Sequence, residues 1–156
     1  MNASEPIRPQ LDNHLKTTKQ INSKRKRAVV GVITQGGKLL AIRRSQNVIA
    51  PGKICFPGGG IENGESDQAA LVREITEEIG VAAAPVRKIW ESTTPWGVQV
   101  HWWLATIPNE ITFSPNAEEV EWVGWMTFDE MSSSKDLLVS NKQFFAALAN
   151  EEFELS

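Results

Sequence analysis

The chain has a single cysteine, Cys55, among 156 residues, which rules out an intrachain disulfide and an all-cysteine zinc site. Its two histidines, His14 and His101, have no ligand-like company around them in the sequence. No apolar run approaches the ~20 residues that a membrane-spanning helix needs. The N-terminus has no apolar signal core, and Glu5 and Asp12 fit a transit peptide poorly. There is no internal repeat and no low-complexity tract. Charge is not strongly biased either: 16 basic residues against 19 acidic ones give −3. Together these absences argue for a cytoplasmic chain with no membrane contact. The length fits one domain, and 41% apolar residues can supply its core.

The mild total hides an uneven distribution. Residues 1–27 hold seven Lys and Arg against Glu5 and Asp12, a surplus of +5. The other 129 residues hold nine against seventeen, or −8. Residues 1–23 are polar, carry Pro6 and Pro9, and show no sustained apolar period. The expected organisation is therefore a flexible polar and basic arm over 1–23 and an acidic folded domain over 24–156.

Along that domain, strand signals outnumber helix signals. Ala28–Ile33 is β-branched, Gly36-Gly37 is a turn, and Leu39–Ile42 resumes the apolar character, which predicts a hairpin. Gln46–Lys53 has loop composition. Ile54–Phe56 is a short strand stopped by Pro57-Gly58-Gly59-Gly60. Ser66–Ile79 has the best helical period and Gly80 as its C-cap. Strands are expected at Val86–Glu91, Val98–Ile107 and Val120–Met126, and an amphipathic helix at Asn141–Asn150. The class is α+β.

The helix at 66–79 carries the chemistry. With Glu74 set at zero and 100° per residue, Glu77 falls near 300° and Glu78 near 40°. Leu71, Ile75, Ile79 and Val72 occupy roughly 60° to 160°, which predicts an apolar stripe beside a carboxylate face. Like charges at i,i+4 cost a few tenths of a kcal/mol, and Arg73 can relieve part of that through Glu77. A solvated acidic face is the plain explanation for any such cluster. A divalent cation is the more economical one here, because all-oxygen ligands suit Mg²⁺ or Mn²⁺ and a phosphate substrate needs its charge cancelled.

The wider segment is Gly59, five residues, Glu65, seven residues, then Arg73-Glu74-Ile75-Thr76-Glu77-Glu78-Ile79-Gly80-Val81. It resembles the box of the Nudix hydrolases, G-x5-E-x7-R-E-U-x-E-E-x-G-U with U aliphatic, at every specified position. A chance match in a chain of this length is on the order of 10⁻⁸. The resemblance implies an α/β/α sandwich with a mixed central sheet. It implies a pyrophosphohydrolase that cleaves a nucleoside diphosphate linked to another group, by attack of water on phosphorus. It assigns catalytic roles to Glu65, Arg73, Glu74, Glu77 and Glu78, and metal contacts to Glu74, Glu77, Glu78 and the Gly58 carbonyl. The implied cofactor is Mg²⁺ or Mn²⁺. Many relatives form homodimers.

Substrate contacts are less determined by the sequence. Arg43, Arg44 and Lys53 are candidates for phosphate, with ordinary surface charge as the alternative. Glu118, Glu119 and Glu121 in AEEVEW are candidates for an acidic contribution from a distant loop. Strand alternation can aim only some of them inward. Trp102 and Trp103 are adjacent and must face opposite ways, so at most one lines a given pocket; Trp96, Trp122 and Trp125 are further stacking candidates. Cys55 fits an unreactive strand thiol. The general look of PGKICFPGGGIENGES favours a small nucleoside triphosphate, oxidised ones included. ADP-ribose or a nucleotide sugar is the alternative, suggested by Pro95 fourteen residues after Val81. A non-catalytic nucleotide-binding module keeps fewer box glutamates than this chain does. RNA gripped by Lys24–Arg27 is a weaker alternative to a small nucleotide.

Overall fold

The computed structural model describes residues 26–156. The expected arm over 1–23 lies outside the described residues. Among the described residues eight strands and three helices follow one another: β1 (Arg27–Val32), β2 (Thr34–Gln35), β3 (Lys38–Arg44), β4 (Ile54–Cys55), β5 (Gly58–Gly60), α1 (Asp67–Ile79), β6 (Ala84–Thr93), β7 (Gln99–Thr106), β8 (Val120–Met126), α2 (Phe128–Ser132) and α3 (Val139–Ala149). One sheet has the order β5-β1-β7-β6, with β1 and β7 parallel and the other pairs antiparallel. The second is built on β3, flanked by β2 and β4 along one edge and by β8 along the other.

Alternation along the strands divides the apolar residues between two cores. Val29, Leu40, Ile42 and Ala105 join Leu71, Ile75 and Ile79 of α1 on one side. Val32, Leu39, Ala41 and Trp102 join Met131 of α2 and Phe144 and Ala147 of α3 on the other. The sheets therefore form the middle layer of an α/β/α sandwich, as expected for an α+β chain with a mixed sheet. Among the described residues no helix is long and apolar enough to cross a membrane.

The expected hairpin forms in part. Gly36 and Gly37 have φ of 58° and 77°, conformations in which an ordinary side chain is strained, and they join β2 to β3 in a two-residue turn. The pairing ends at Ile33, whose carbonyl accepts Leu40 N–H at 3.0 Å. From there β1 diverges to pair with β5 and β7 in the other sheet. The strands at 84–93 and 99–106 are close to expectation, and β8 matches it. Helix α2 was not anticipated, although Thr127 and Glu130 form a reciprocal capping box whose T-x-x-E spacing is visible in the sequence.

Helix α1 starts where Ser66 Oγ accepts Ala69 N–H at 3.1 Å and stops at Gly80, φ 72°. Leu71, Ile75 and Ile79 are fully buried, each contributing on the order of 1.5–3 kcal/mol. That outweighs the few tenths of a kcal/mol by which neighbouring carboxylates disfavour the helix. Its buried arc differs from expectation in one respect. Val72 is exposed, whereas Ala70, Leu71, Ile75, Glu78 and Ile79 are buried. The arc thus runs from about 320° to 140° on the same wheel and takes in Glu74 and Glu78, so these two side chains face the sheet.

Candidate active site

The strand under those carboxylates explains how they fit. Gly58-Gly59-Gly60, expected only to stop the preceding strand, is itself β5, paired antiparallel with Ala28–Val30. A Cβ at Gly59 would lie 2.1 Å from Glu74 Oε1, so only a bare backbone leaves room for that carboxylate. Gly58 N–H donates to Glu78 Oε1 at 3.0 Å. A Cβ at Gly58 would instead meet Val29 O at 2.2 Å and Val30 Cα at 2.8 Å. The two glycines should therefore respond differently to alanine. Gly58→Ala strikes rigid backbone and is expected to lose about 3 kcal/mol of stability. Gly59→Ala strikes the flexible end of one side chain; it is expected to keep its thermal midpoint and lose Mn²⁺ affinity. Thermal unfolding and Mn²⁺ titration of both variants check this, and equal destabilisation by the two would refute it.

Arg73 gathers the acidic side chains. Its Nε donates to Glu65 Oε2 at 2.6 Å and its Nη2 to Glu65 Oε1 at 2.9 Å, a bidentate pair. Its Nη1 donates to Glu74 at 2.8 Å and Glu77 at 3.3 Å, and Nη2 also reaches Gly60 O at 2.9 Å. The Glu77 contact expected from the helix spacing is thus present, but Glu65 is the main partner. Arg73 beside it holds the Glu65 carboxyl down at about 2. Glu65 also accepts Glu62 N–H at 2.9 Å, which closes the loop ahead of α1.

Glu78 is in the opposite condition. Burial pushes its carboxyl up to about 8, opposed by the Gly58 N–H and reinforced by the charges of Glu74 and Glu119. Burial also raises Glu74, with Arg73 opposing and Glu77 and Glu119 reinforcing. Glu77 alone of the three points well into solvent, its side chain 52% exposed.

The loop before β8 brings Glu119 to this group. Ser114 N–H and Asn116 N–H donate to the Ile79 and Glu78 carbonyls at 2.9 and 2.8 Å, tying the loop to the end of α1. Glu119 follows, and its charge acts on both Glu74 and Glu78. Glu118 and Glu121 stay exposed: the Glu118 carbonyl accepts Ser45 Oγ at 2.7 Å, and the Glu121 carboxylate accepts Gln46 Nε2 at 3.4 Å.

The two arginines closing β3 part company, as alternation requires. Arg44 lies beside Cys55 and Glu78 and donates through Nε to Ile49 O at 2.8 Å. Arg43 donates to Gly52 O at 2.6 Å and pairs with Asp136 at 3.3 Å. With Ile54, Glu121, Trp122 and Met126 it lines an open groove apart from the carboxylates. Lys53 makes no ion pair with a described residue; its carbonyl accepts Arg44 N–H at 2.8 Å. Burial pushes the Cys55 thiol up to about 12, which makes it a poor nucleophile.

The tryptophans divide between core and surface. Trp102 is buried and stacks on Phe144 with centroids 4.8 Å apart, and Trp90 stacks on Phe153 at 5.4 Å. Trp103 faces α1, as opposed to Trp102, which packs with α3. Trp125 is half-buried against Phe113. Trp96 and Trp122 are exposed, and Trp122 lies across Gly124.

Comparison with known proteins places this arrangement. Residues 24–148 match the model of the NUDIX domain. The chain is 30% identical over 137 residues to the nucleoside triphosphatase NudI of Salmonella arizonae, covering 84% of this chain and 87% of that protein. Its fold is similar to a MutT protein from Methanosarcina mazei Go1, with a TM-score of 0.67, 21% identity, and 81% and 94% of the two chains covered. It is also similar to an ADP-ribose pyrophosphatase from Streptococcus suis 89-1591, with a TM-score of 0.63, 22% identity, and 81% and 88% covered.

Proposed function

Given that this chain belongs to the Nudix family of hydrolases, which act on pyrophosphate bonds, we propose that it is a divalent-metal-dependent pyrophosphohydrolase of small nucleotides, with a nucleoside triphosphate as substrate. One observation carries the reading: Glu74 and Glu78 are turned inward over bare glycine backbone, the charge of Glu119 acts on both, and their cations are Arg73 at Glu74 and Arg44 near Glu78. Buried carboxylates that repel one another need a positive partner. The donor set is all oxygen, which fits Mg²⁺ or Mn²⁺ held by Glu74, Glu77, Glu78 and the Gly58 carbonyl. Such an ion, when bound, supplies charge neutralisation for the phosphoryl oxygens and acidifies water.

The protein's own groups have distinct tasks in this reading. Arg73 and Glu65 lock each other and hold the carboxylates in register. Glu119, whose charge acts on Glu74 and Glu78, is the candidate to accept a proton from an attacking water. Arg44, on the carboxylate side of β3, is the phosphate contact favoured over Arg43, which Asp136 occupies on the other side. The substrate class rests on the name of the Salmonella relative and on the look of the segment around the box. The fold-level likeness to an ADP-ribose pyrophosphatase, with Pro95 in the β6–β7 turn, supports the second reading, ADP-ribose or a nucleotide sugar. The catalytic domain is taken as 24–156, with residues 1–23 as an accessory arm.

The test is product release with Mg²⁺ or Mn²⁺ across nucleoside triphosphates, oxidised nucleotides, ADP-ribose, nucleotide sugars, dinucleotide polyphosphates and coenzyme A. Turnover of a triphosphate, lost in Glu77→Gln, is the expected result. Binding of nucleotide that stays intact after long incubation would replace the enzyme with a binding module. An RNA-end substrate would show a steep salt dependence and a loss of activity when Lys24–Arg27 are neutralised.

A further inference from the structure

The first turn of α1 is fastened to the sheet by a group that none of the box residues touches. Asp67 Oδ2 accepts Trp103 Nε1–H at 3.0 Å and lies 2.7 Å from His101 Nδ1. His101 and Trp103 are two residues apart on β7 and face α1 together. Burial raises the Asp67 carboxyl, but the hydrogen bonds from Trp103 and His101 leave it below its ordinary value, so it is an anion that only accepts. The proton between Asp67 and the ring therefore sits on Nδ1. That leaves Nε2 of the neutral ring as an acceptor, and it is buried with no hydrogen-bond partner. His101 as a whole is 9% exposed. Glu91 Oε2 of β6 stands 3.9 Å from Nε2, where a second carboxylate would be satisfied by an N–H.

We propose that His101 is a positioning residue for the carboxylate site: through Asp67 it fixes the first turn of α1 against β7. The proposal rests on the reading that α1 carries the reacting group, since Glu74 lies about two turns along the same helix.

Asp67 faces the ring from α1, and Glu91 from β6. Lys88 of β6 pairs with Glu91, and Gln99 of β7 donates to Glu91 at 3.5 Å. Val29, opposite His101 on β1, brings no charge. Lys88 and Gln99 occupy Glu91, and the ring leaves one buried nitrogen unmet, so its hold on α1 runs through the charge-assisted hydrogen bond to Asp67.

The full chain carrying His14→Gln retains one histidine, whose ring nitrogens can be read by NMR. The neutral ring is expected as the Nδ1–H tautomer; the Nε2–H tautomer would overturn the proposal. Amide exchange at Ala70–Arg73 then reports the hold on the first turn. His101→Asn keeps a donor near the Nδ1 position. His101→Ala is expected to be about fivefold less protected than the parent chain, and His101→Asn to recover most of that loss. Equal protection in the parent chain and His101→Ala would refute the proposal. kcat should fall in His101→Ala and recover in His101→Asn, with KM unchanged. The tautomer and exchange readouts need no substrate, so a failure of the hydrolase reading would show separately in the substrate panel.

Discussion

Glu78→Gln is expected to cut metal-dependent turnover by about 10²–10³-fold, the range for losing one electrostatic stabiliser at a reacting centre. The metal-free fold should be at least as stable as the parent near pH 8. Both halves follow from one carboxylate. Its Oε1 accepts Gly58 N–H at 3.0 Å, and a glutamine oxygen can accept the same bond. What the substitution removes is a buried negative charge beside Glu74 and Glu119, which costs stability when no cation offsets it.

The sign of the pH dependence follows from linkage. Burial raises Glu78 from 4.5 to about 8, so between those values the folded chain holds a proton that the unfolded chain has released. The stabilisation is complete below about 4.5 and is lost as pH rises through about 8. Metal-free wild type should therefore lose stability across that window, and Glu78→Gln should be flatter. Glu74, raised in the same direction, leaves a residual slope. Glu65 and Asp67 are shifted down and titrate below the window. Mn²⁺ replaces the proton, so its stabilisation of the wild type should be larger at pH 8.5 than at pH 6. Thermal midpoints of both proteins, with and without Mn²⁺, give the answer. A parallel pH course in the two would sink the assignment of a raised carboxyl to Glu78.

Arg73→Lys should be nearly as harmful despite conserving charge. The guanidinium makes five contacts in one plane: two to Glu65, one each to Glu74 and Glu77, and one to Gly60 O. An ammonium offers three donors from a single point and cannot span Glu65 and Glu74 together. Turnover is expected to fall about 10²-fold, as for loss of a group that orients metal ligands. The thermal midpoint should also fall, because Glu65 and the loop from Gly60 lose their tie to α1. Kinetics at several Mg²⁺ concentrations with a parallel thermal scan check this. Wild-type turnover in Arg73→Lys would show that the carboxylates hold their places unaided.

These effects concern residues that were visible as a spacing before any coordinates. Arg73, Glu74, Glu77 and Glu78 stand at intervals that a helix brings together, because 3.6 residues per turn is a property of the backbone alone, and Glu65 joins them from the loop ahead of α1 through Arg73. The C-cap signal Gly80 and the strand character of Val120–Met126 were equally local, and their elements formed where expected. Errors arose where partners are distant. The strand β1 pairs with β5 and β7, and local β-branched composition says nothing about which of several strands is its neighbour. Gly58–Gly60 has poor strand composition, yet it pairs with β1 because bare backbone is what the space beneath Glu74 allows.

By itself the sequence determined the family, the helix and the identity of the clustered acids. The tertiary structure alone decided which way each of them faces. It turned Glu74 and Glu78 toward the sheet and left Glu77 in solvent, because the burial of Leu71, Ile75 and Ile79 sets the rotation of α1 and β5 offers no side chains to resist. It also brought the charge of Glu119 to bear on Glu74 and Glu78, while Glu118 and Glu121 stay exposed. His101 likewise gained Asp67 and Glu91 as neighbours only when three separate segments met. Periodicity fixes what lies on one element; packing between elements decides what meets across them.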